Sequence, residues 1–310
     1  MIFITGDTHC PSDIAKLKSE NFPQESLTKD DYIIIAGDAG FVWYGRDERD
    51  EVDEYWQNWL NDKNFTTIFV DGNHENHEKL DNMPVVMWNG GKVHKLKESV
   101  IHLMRGQVYT INGLKIFTMG GAESTDKAHR TEDESWWSRE MPSHEEYSEA
   151  LENLDKHEWI VDYMVTHDCS TEIIQDLTIF NMPNKIRNFF LEIDRKLKYK
   201  QWFFGHYHDN LRIGDKHTLL HDKIIRINEY RKLEYKEKSE YIKMTEEEYL
   251  GSNLPKFLQE DIDRLQEGRR QNEKMRLDLY YNEVQGSINS AYWGGVITEE
   301  QANYLRKKLL

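Results

Sequence analysis

Thr66-Thr67-Ile68-Phe69-Val70-Asp71-Gly72-Asn73-His74-Glu75 decides the reading of this 310-residue chain. An apolar, β-branched run ends there in a glycine, an amide, an imidazole and a carboxylate. Short apolar runs mark strands buried on both faces of a parallel sheet, and α/β folds build their sites where loops leave the carboxyl ends of such strands. The same arrangement recurs on either side. Gly6-Asp7-Thr8-His9 follows Ile2 to Thr5, and Gly37-Asp38 follows Tyr32 to Ala36. Thr166-His167 follows Tyr163 to Val165, and Gly205-His206-Tyr207-His208 follows Trp202 to Phe204. A lone histidine behind a strand is usually structural, and Gly-Asp by itself is an ordinary turn. Five such blocks in order, each behind an apolar run, are not explained that way.

The blocks hold carboxylates, an amide and several histidines, with no cysteine cluster. That donor set suits borderline or hard divalent ions such as Mn, Fe, Zn or Mg better than a thiolate site would. Two ions sharing one bridging carboxylate would use nearly all of it. The glycines let the backbone turn sharply and approach closely at these points.

In this order, Asp-x-His, Gly-Asp, Gly-Asn-His-Glu, His and Gly-His-x-His, the chain resembles the calcineurin-like metallophosphoesterase superfamily, in its bacterial or phage type. The resemblance runs over roughly residues 1–228. It implies a four-layer α/β/β/α sandwich and a dinuclear centre of two divalent ions, Mn first among them, with Fe, Zn, Ni or Mg as the others. By that resemblance Asp7, His9 and His208 hold one ion, Asn73, His167 and His206 the other, and Asp38 bridges them. His74 is then no ligand and faces the substrate phosphate as acid or charge stabiliser. The implied reaction is hydrolysis of a phosphomonoester or phosphodiester, that of a small nucleotide-like substrate, by attack of metal-bound hydroxide. A single-strand nuclease, or an inactive scaffold that keeps the metal site, are the alternatives. Retention of every ligand and of His74 argues against the scaffold. One departure is Cys10, where the first block of the superfamily closes with Gly or another small residue; Cys10 is small enough for no loss.

Composition bounds the rest. The net charge of -16 disfavours binding to long duplex nucleic acid, which relies on a basic stripe. No apolar run reaches the eighteen or so residues that a membrane helix needs, and no basic-then-apolar leader precedes Ile2, so a cytoplasmic protein is expected. Two cysteines, Cys10 and Cys169, make no disulfide framework; both lie near ligand blocks, as a thiol pair or as packing.

Ser12 to Glu20 and Asp47 to Asn61 read as helices, the second with Val52, Tyr55, Trp56, Trp59 and Leu60 as a core stripe. Further strands are expected at Val85 to Trp88, Val100 to Met104, Gln107 to Ile111 and Lys115 to Met119. Asn112-Gly113 signals a hairpin between the last two. Thr218 to Leu220 and Ile224 to Ile227 read as a closing hairpin. Between Gly120-Gly121 and a helix at Glu145 to His157 lies a long polar, aromatic loop with Glu123, Asp126, His129, Arg130, Trp136, Trp137 and Arg139. Arg130, Trp136 and Trp137 are candidates for substrate contact, with anchoring of the loop as the other reading. Arg105 is a further candidate for phosphate, and Ser143-x-x-Glu146 a capping box. From Glu229 the chain turns charged and helical, giving a C-terminal extension over 229–310. Thr245-Glu246-Glu247-Glu248 and Thr298-x-x-Gln301 read as helix starts. Leu254, Phe257, Leu258, Ile262 and Leu265 form an amphipathic stripe, to be buried against the first domain or in a homo-oligomer.

Overall fold

The computed structural model describes residues 1–44, 50–124, 126–127, 130–177, 183–238, 254–271, 277–293, 297 and 299–309. Two seven-stranded mixed sheets organise the first part of the chain. The first is built from β1 (Ile2–Thr5), β2 (Tyr32–Ala36), β3 (Thr66–Val70), β4 (Val85–Trp88), β5 (Gly91–Lys97), β6 (Val100–Leu103) and β13 (Ile225–Arg226), in the order β13-β1-β2-β3-β6-β5-β4. The second takes β7 (Gln107–Ile111), β8 (Leu114–Met119), β9 (Tyr163–Thr166), β10 (Gln201–Phe204), β11 (Leu211–Ile213), β12 (His217–Leu219) and β14 (Glu234–Lys236), in the order β14-β11-β12-β10-β9-β8-β7. The centres are parallel: Ile4 pairs with Ile34, Ile34 with Ile68, Phe117 with Met164 and Trp202 with Met164.

Period-two alternation explains the layers. Ile34, Ala36, Ile68 and Val70 point inward to meet Ile116, Val165 and Phe203 of the other sheet. Their neighbours Ile33, Ile35 and Phe69 point outward onto Leu60 of α1 (Asp50–Asn61) and Leu80 of α2 (His77–Asp81). On the far side Phe117, Met164, Trp202 and Phe204 carry α3 (His144–Lys156), α4 (Thr171–Ile174) and α5 (Lys185–Lys196) through Leu154, Ile173 and Phe190. The result is the expected α/β/β/α sandwich. Each fully buried Ile or Phe contributes about 1.5 to 3 kcal/mol to holding the layers together.

Several expectations need correction. Ser12 to Glu20 forms only a single 3-10 turn, Ile14–Leu17, whose two ends are buried. The supposed core stripe of α1 is half wrong. Val52 and Tyr55 are exposed, while Asp53 and Gln57 turn inward beside Leu60. The reason is polar: Asp53 accepts from the main-chain N–H groups of Trp43 and Tyr44 and pairs with Lys79, and Gln57 donates to Phe41 O at 2.8 Å. Residues 47–49 of that expected helix lie outside the described residues. The closing hairpin does not exist, because β12 joins the second sheet beside β10 and β11 while β13 joins the first beside β1. Cys169 packs in the outer core of the second sheet and Cys10 against that of the first, so they are packing residues and not a thiol pair.

The chain divides into compact units Met1–Ser239 and Glu240–Leu310. The expected boundary after residue 228 falls too early, since β14 pairs with β11 through Leu211 and Glu234. The second unit holds α6 (Lys256–Arg270), α7 (Leu277–Trp293) and α8 (Glu299–Leu309). Leu258, Ile262 and Leu265 are buried against Val284, Ile288 and Leu305 of the same unit, whereas Phe257 faces out. The amphipathic stripe therefore finds its cover inside the unit. Both expected caps, at Thr245 and Thr298, lie outside the described residues. Among the described residues no helix is long and apolar enough to cross a membrane. Because the first unit has its own apolar core, a chain ending at Ser239 is expected to fold with cooperative thermal melting. Circular dichroism that shows an unfolded product would contradict it.

Candidate metal centre

Each block leaves the carboxyl end of a strand, and the two sheets present those ends on one side of the sandwich. Asp7 follows β1, Asp38 follows β2, Asn73 and His74 follow β3, His167 follows β9, and His206 and His208 follow β10. All seven expected ligands and His74 converge. Asp7, His9 and His208 offer atoms within 4.8 Å of one another, as do Asp38, His167 and His206, and likewise His9, Asp38 and His74. Asn73 joins through Oδ1, 3.3 Å from His167 Nε2. Asp7, Asp38 and His167 are fully or almost fully buried, and His208 is the exposed member.

The backbone is distorted to achieve this. His9, Asp38, His206 and His208 have φ of 30°, 48°, 70° and 50°, in the left-handed region that costs such residues about 1 to 3 kcal/mol each. Two glycines make room. A Cβ on Gly72 would sit 2.1 Å from Asp38 Oδ1, and one on Gly205 would sit 2.2 Å from Asp7 Oδ1.

Charge is arranged as carefully. Burial works against an ionised Asp38, but the neighbouring His167 and His9 outweigh it and hold the carboxyl well below its ordinary range. Asp7 is likewise held low, burial being overcome by His208 and His167. The reciprocal effect falls on the imidazoles. Despite burial, Asp38 raises His9 to about 9 and His167 to about 10. His206 goes the other way, to about 4, because burial dominates over the pull of Asp168. Acids held low and two imidazoles pulled up by them make this a nitrogen- and oxygen-lined pocket that draws positive charge. Its donors, oxygen and imidazole nitrogen only, fit divalent ions.

Supporting residues surround the ligands, and most of them lie outside the blocks. Asp13 Oδ2 lies 2.9 Å from His9 Nδ1, leaving Nε2 for Asp38 at 3.3 Å. His167 Nδ1 lies 2.8 Å from Ala36 O, which turns Nε2 inward. Asp168 accepts from Arg187 Nε at 2.8 Å and from the Tyr207 hydroxyl, binding α5 to the loops after β9 and β10. Glu75 accepts from the N–H groups of Gly40 and Gly72, and burial next to Asp38 raises it to about 8. Lys16 Nζ donates to the carbonyls of Gly6, Asp7 and His221.

The four substrate candidates separate. Arg105 is not free for phosphate: it is buried, it donates through Nε and Nη2 to Asp71 Oδ2 at 2.8 and 2.6 Å, and Nη2 also reaches the carbonyls of Arg139 and Glu140. Trp137 is buried and edge-on to Trp43 at 5.5 Å, so it anchors the loop. Trp136 is half-buried under Lys127. Arg130 does reach the site, with Nη2 3.3 Å from His74 Nε2, and is steadied by Asp126. His129 lies outside the described residues. Sequence reasoning missed Trp43, which packs along His74 with ring centroids 5.7 Å apart.

Comparison with known families agrees with this geometry. The model of the calcineurin-like phosphoesterase family matches residues 1–210, and the chain belongs to that family. Comparison with curated proteins found no match. Membership implies divalent metal ions and phosphoester hydrolysis.

Two outcomes follow from the electrostatics. At neutral pH the ion-free protein holds a proton on His9 and another on His167. Metal held through these two imidazoles must displace both protons, so affinity should rise as pH climbs from 7 towards 9 to 10 and fall as pH drops. Calorimetry in buffers of different ionisation enthalpy should show proton release on Mn²⁺ binding. Separately, Arg105→Ala leaves Asp71 buried with His102 as its remaining close partner. It should cost about 3 to 5 kcal/mol in urea unfolding, and Arg105→Lys, which lacks the planar fork, should restore little of it.

Proposed function

We propose that the protein hydrolyses phosphomonoester or phosphodiester bonds of a small, nucleotide-like substrate with two divalent ions, Mn first among them. Asp7, His9 and His208 would hold one ion, Asn73, His167 and His206 the other, and Asp38 would serve both. The observation that carries this reading is the way Asp38 is divided. Its Oδ2 lies 3.3 Å from His9 Nε2, and its Oδ1 lies 3.2 Å from His167 Nε2. One carboxylate thus addresses two half-sites. When bound, the ions supply Lewis acidity, polarising phosphoryl oxygen and lowering the pKa of water.

The chain's own residues supply orientation and proton handling. His74 is tethered by its main-chain N–H, which donates to Asp38 Oδ1 at 2.8 Å, and it presents Nε2 beside the Arg130 guanidinium. Burial, opposed by Asp38 and aided by Arg130, keeps the imidazole below its ordinary pKa. A phosphate between His74 and Arg130 would reverse that balance and favour a protonated His74 where a leaving group needs a proton. Trp43, half-buried beside His74, offers a ring face on which a base can stack. The net charge of -16 argues for a small substrate over a long duplex. A cytoplasmic setting belongs to the proposal, in keeping with two unpaired cysteines.

The test is turnover of monoesters, cyclic nucleotides, dinucleoside polyphosphates and short single strands by the Mn-loaded protein, with an ion-stripped control. Metal-dependent turnover of a small ester supports the reading. Turnover of single strands alone would make the protein a nuclease, and none at all a scaffold. His74→Asn should keep its ions and lose about 10² to 10⁴ in kcat, most on poor leaving groups. Asp38→Asn should lose ions and activity together; full activity in that variant would refute the bridging role.

A further inference from the structure

We infer that Ser124 and Glu140 clamp the side-chain amide of Asn73, so that the loop over the site belongs to the frame of the metal centre and not only to its rim. The inference rests on Asn73 being a ligand, as proposed above. An asparagine has two unlike ends, and only the oxygen can meet a cation. Asn73 Oδ1 lies 3.3 Å from His167 Nε2, within the half-site. Its other end, Nδ2, donates to Ser124 Oγ at 3.2 Å. Ser124 Oγ donates to Glu140 Oε2 at 2.6 Å, and Ser124 N donates to Glu140 Oε1 at 2.9 Å. Lys127 Nζ lies 3.0 Å from the same Oε1. Asn73, Ser124 and Glu140 are all buried.

Chemistry fixes the direction of this chain. A carboxylate only accepts, so the Ser124 hydroxyl spends its proton on Glu140 and turns a lone pair to Asn73. Only the NH₂ end of the amide can use that lone pair. Were the amide rotated by half a turn, Oδ1 would face the Ser124 lone pair, and two N–H groups would point at the place of a cation. Glu140, acting through Ser124, thereby selects the ligating orientation. The clamp is also fastened at its far end, because Arg105 donates both to Glu140 O and to Asp71, which stands two residues before Asn73. Ser124 and Glu140 are positioning residues, and loss of such partners typically costs about 10- to 100-fold in metal affinity.

Calorimetric titration of the full-length, ion-stripped protein with Mn²⁺ tests this. Ser124→Ala should weaken one ion by about 10- to 100-fold while leaving the other unchanged, and Ser124→Thr, which keeps the hydroxyl, should bind as the parent does. In an Asn73→Asp background there is no amide N–H to clamp, so adding Ser124→Ala should cost nothing further. A role in folding alone would give the same loss in both backgrounds. Should Ser124→Ala not fold, Ser124→Cys carries the same expectation, since a thiol is a weak acceptor. Parent-like binding by Ser124→Ala, where Asn73→Ala loses an ion, would overturn the clamp alone. Parent-like binding by Asn73→Ala would show that Asn73 is no ligand and would overturn both.

Discussion

A carboxylate with almost no access to water must be met by positive charge or by donors, because an isolated buried ion costs more than a fold of this size can spare. Asp38 is that carboxylate, and the architecture of the site is the set of answers to it. His9 comes from the loop after β1, the His74 N–H from the loop after β3, and His167 from the other sheet. The left-handed backbone at His9 and Asp38 is the local cost of bringing them together. Without Asp38 the two imidazoles would lose the largest of the charges that favour their protonation, and the sheets would lose one of their links at this end.

A second buried carboxylate repeats the logic one layer away. Asp71 is held by Arg105 and His102, and its carbonyl accepts from Gly121 N at 2.9 Å. Arg105 goes on to Glu146 at 3.3 Å, the residue whose carboxylate completes the capping box of α3 with Ser143. The strand end that carries Asn73, the start of the long loop and the helix that ends it thus share one ion-pair network. Such networks are worth little as net stability yet costly to break. Their effect is to fix register.

The strand ends were legible in the sequence because burial on both faces leaves an unbroken apolar run, and a run that stops at Gly-Asp or Gly-Asn-His has little else to be. The convergence of the ligands followed, and the four layers came with the family resemblance. What stayed hidden was polar burial. Asp53 and Gln57 look like surface residues of an amphipathic helix, yet they turn inward because the Phe41 to Tyr44 segment needs acceptors and donors that only tertiary structure reveals. Arg105 reads as a phosphate contact for the same reason: an arginine in a loop gives no sign of an aspartate waiting behind β3. Ser124 and Glu140 are sixteen positions apart with no periodicity to join them. Capping signals fared better, since the Ser143 box is a local rule obeyed locally.

The candidate ligands are not segregated by sheet. Asp7, from the first strand, lies 3.2 Å from His208, which follows β10 in the second sheet. β1, β2 and β3 precede β10 in the chain, so the site has no second wall until the residues after β10 are made. A cation bound there would act as a seal set at the end of assembly, holding closed the seam between the two sheets and favouring the finished sandwich over every partly built one. The same seal would give the domain a point of failure at the mouth of the seam, where the buried acids lie, while the apolar layers behind it hold the sheets together.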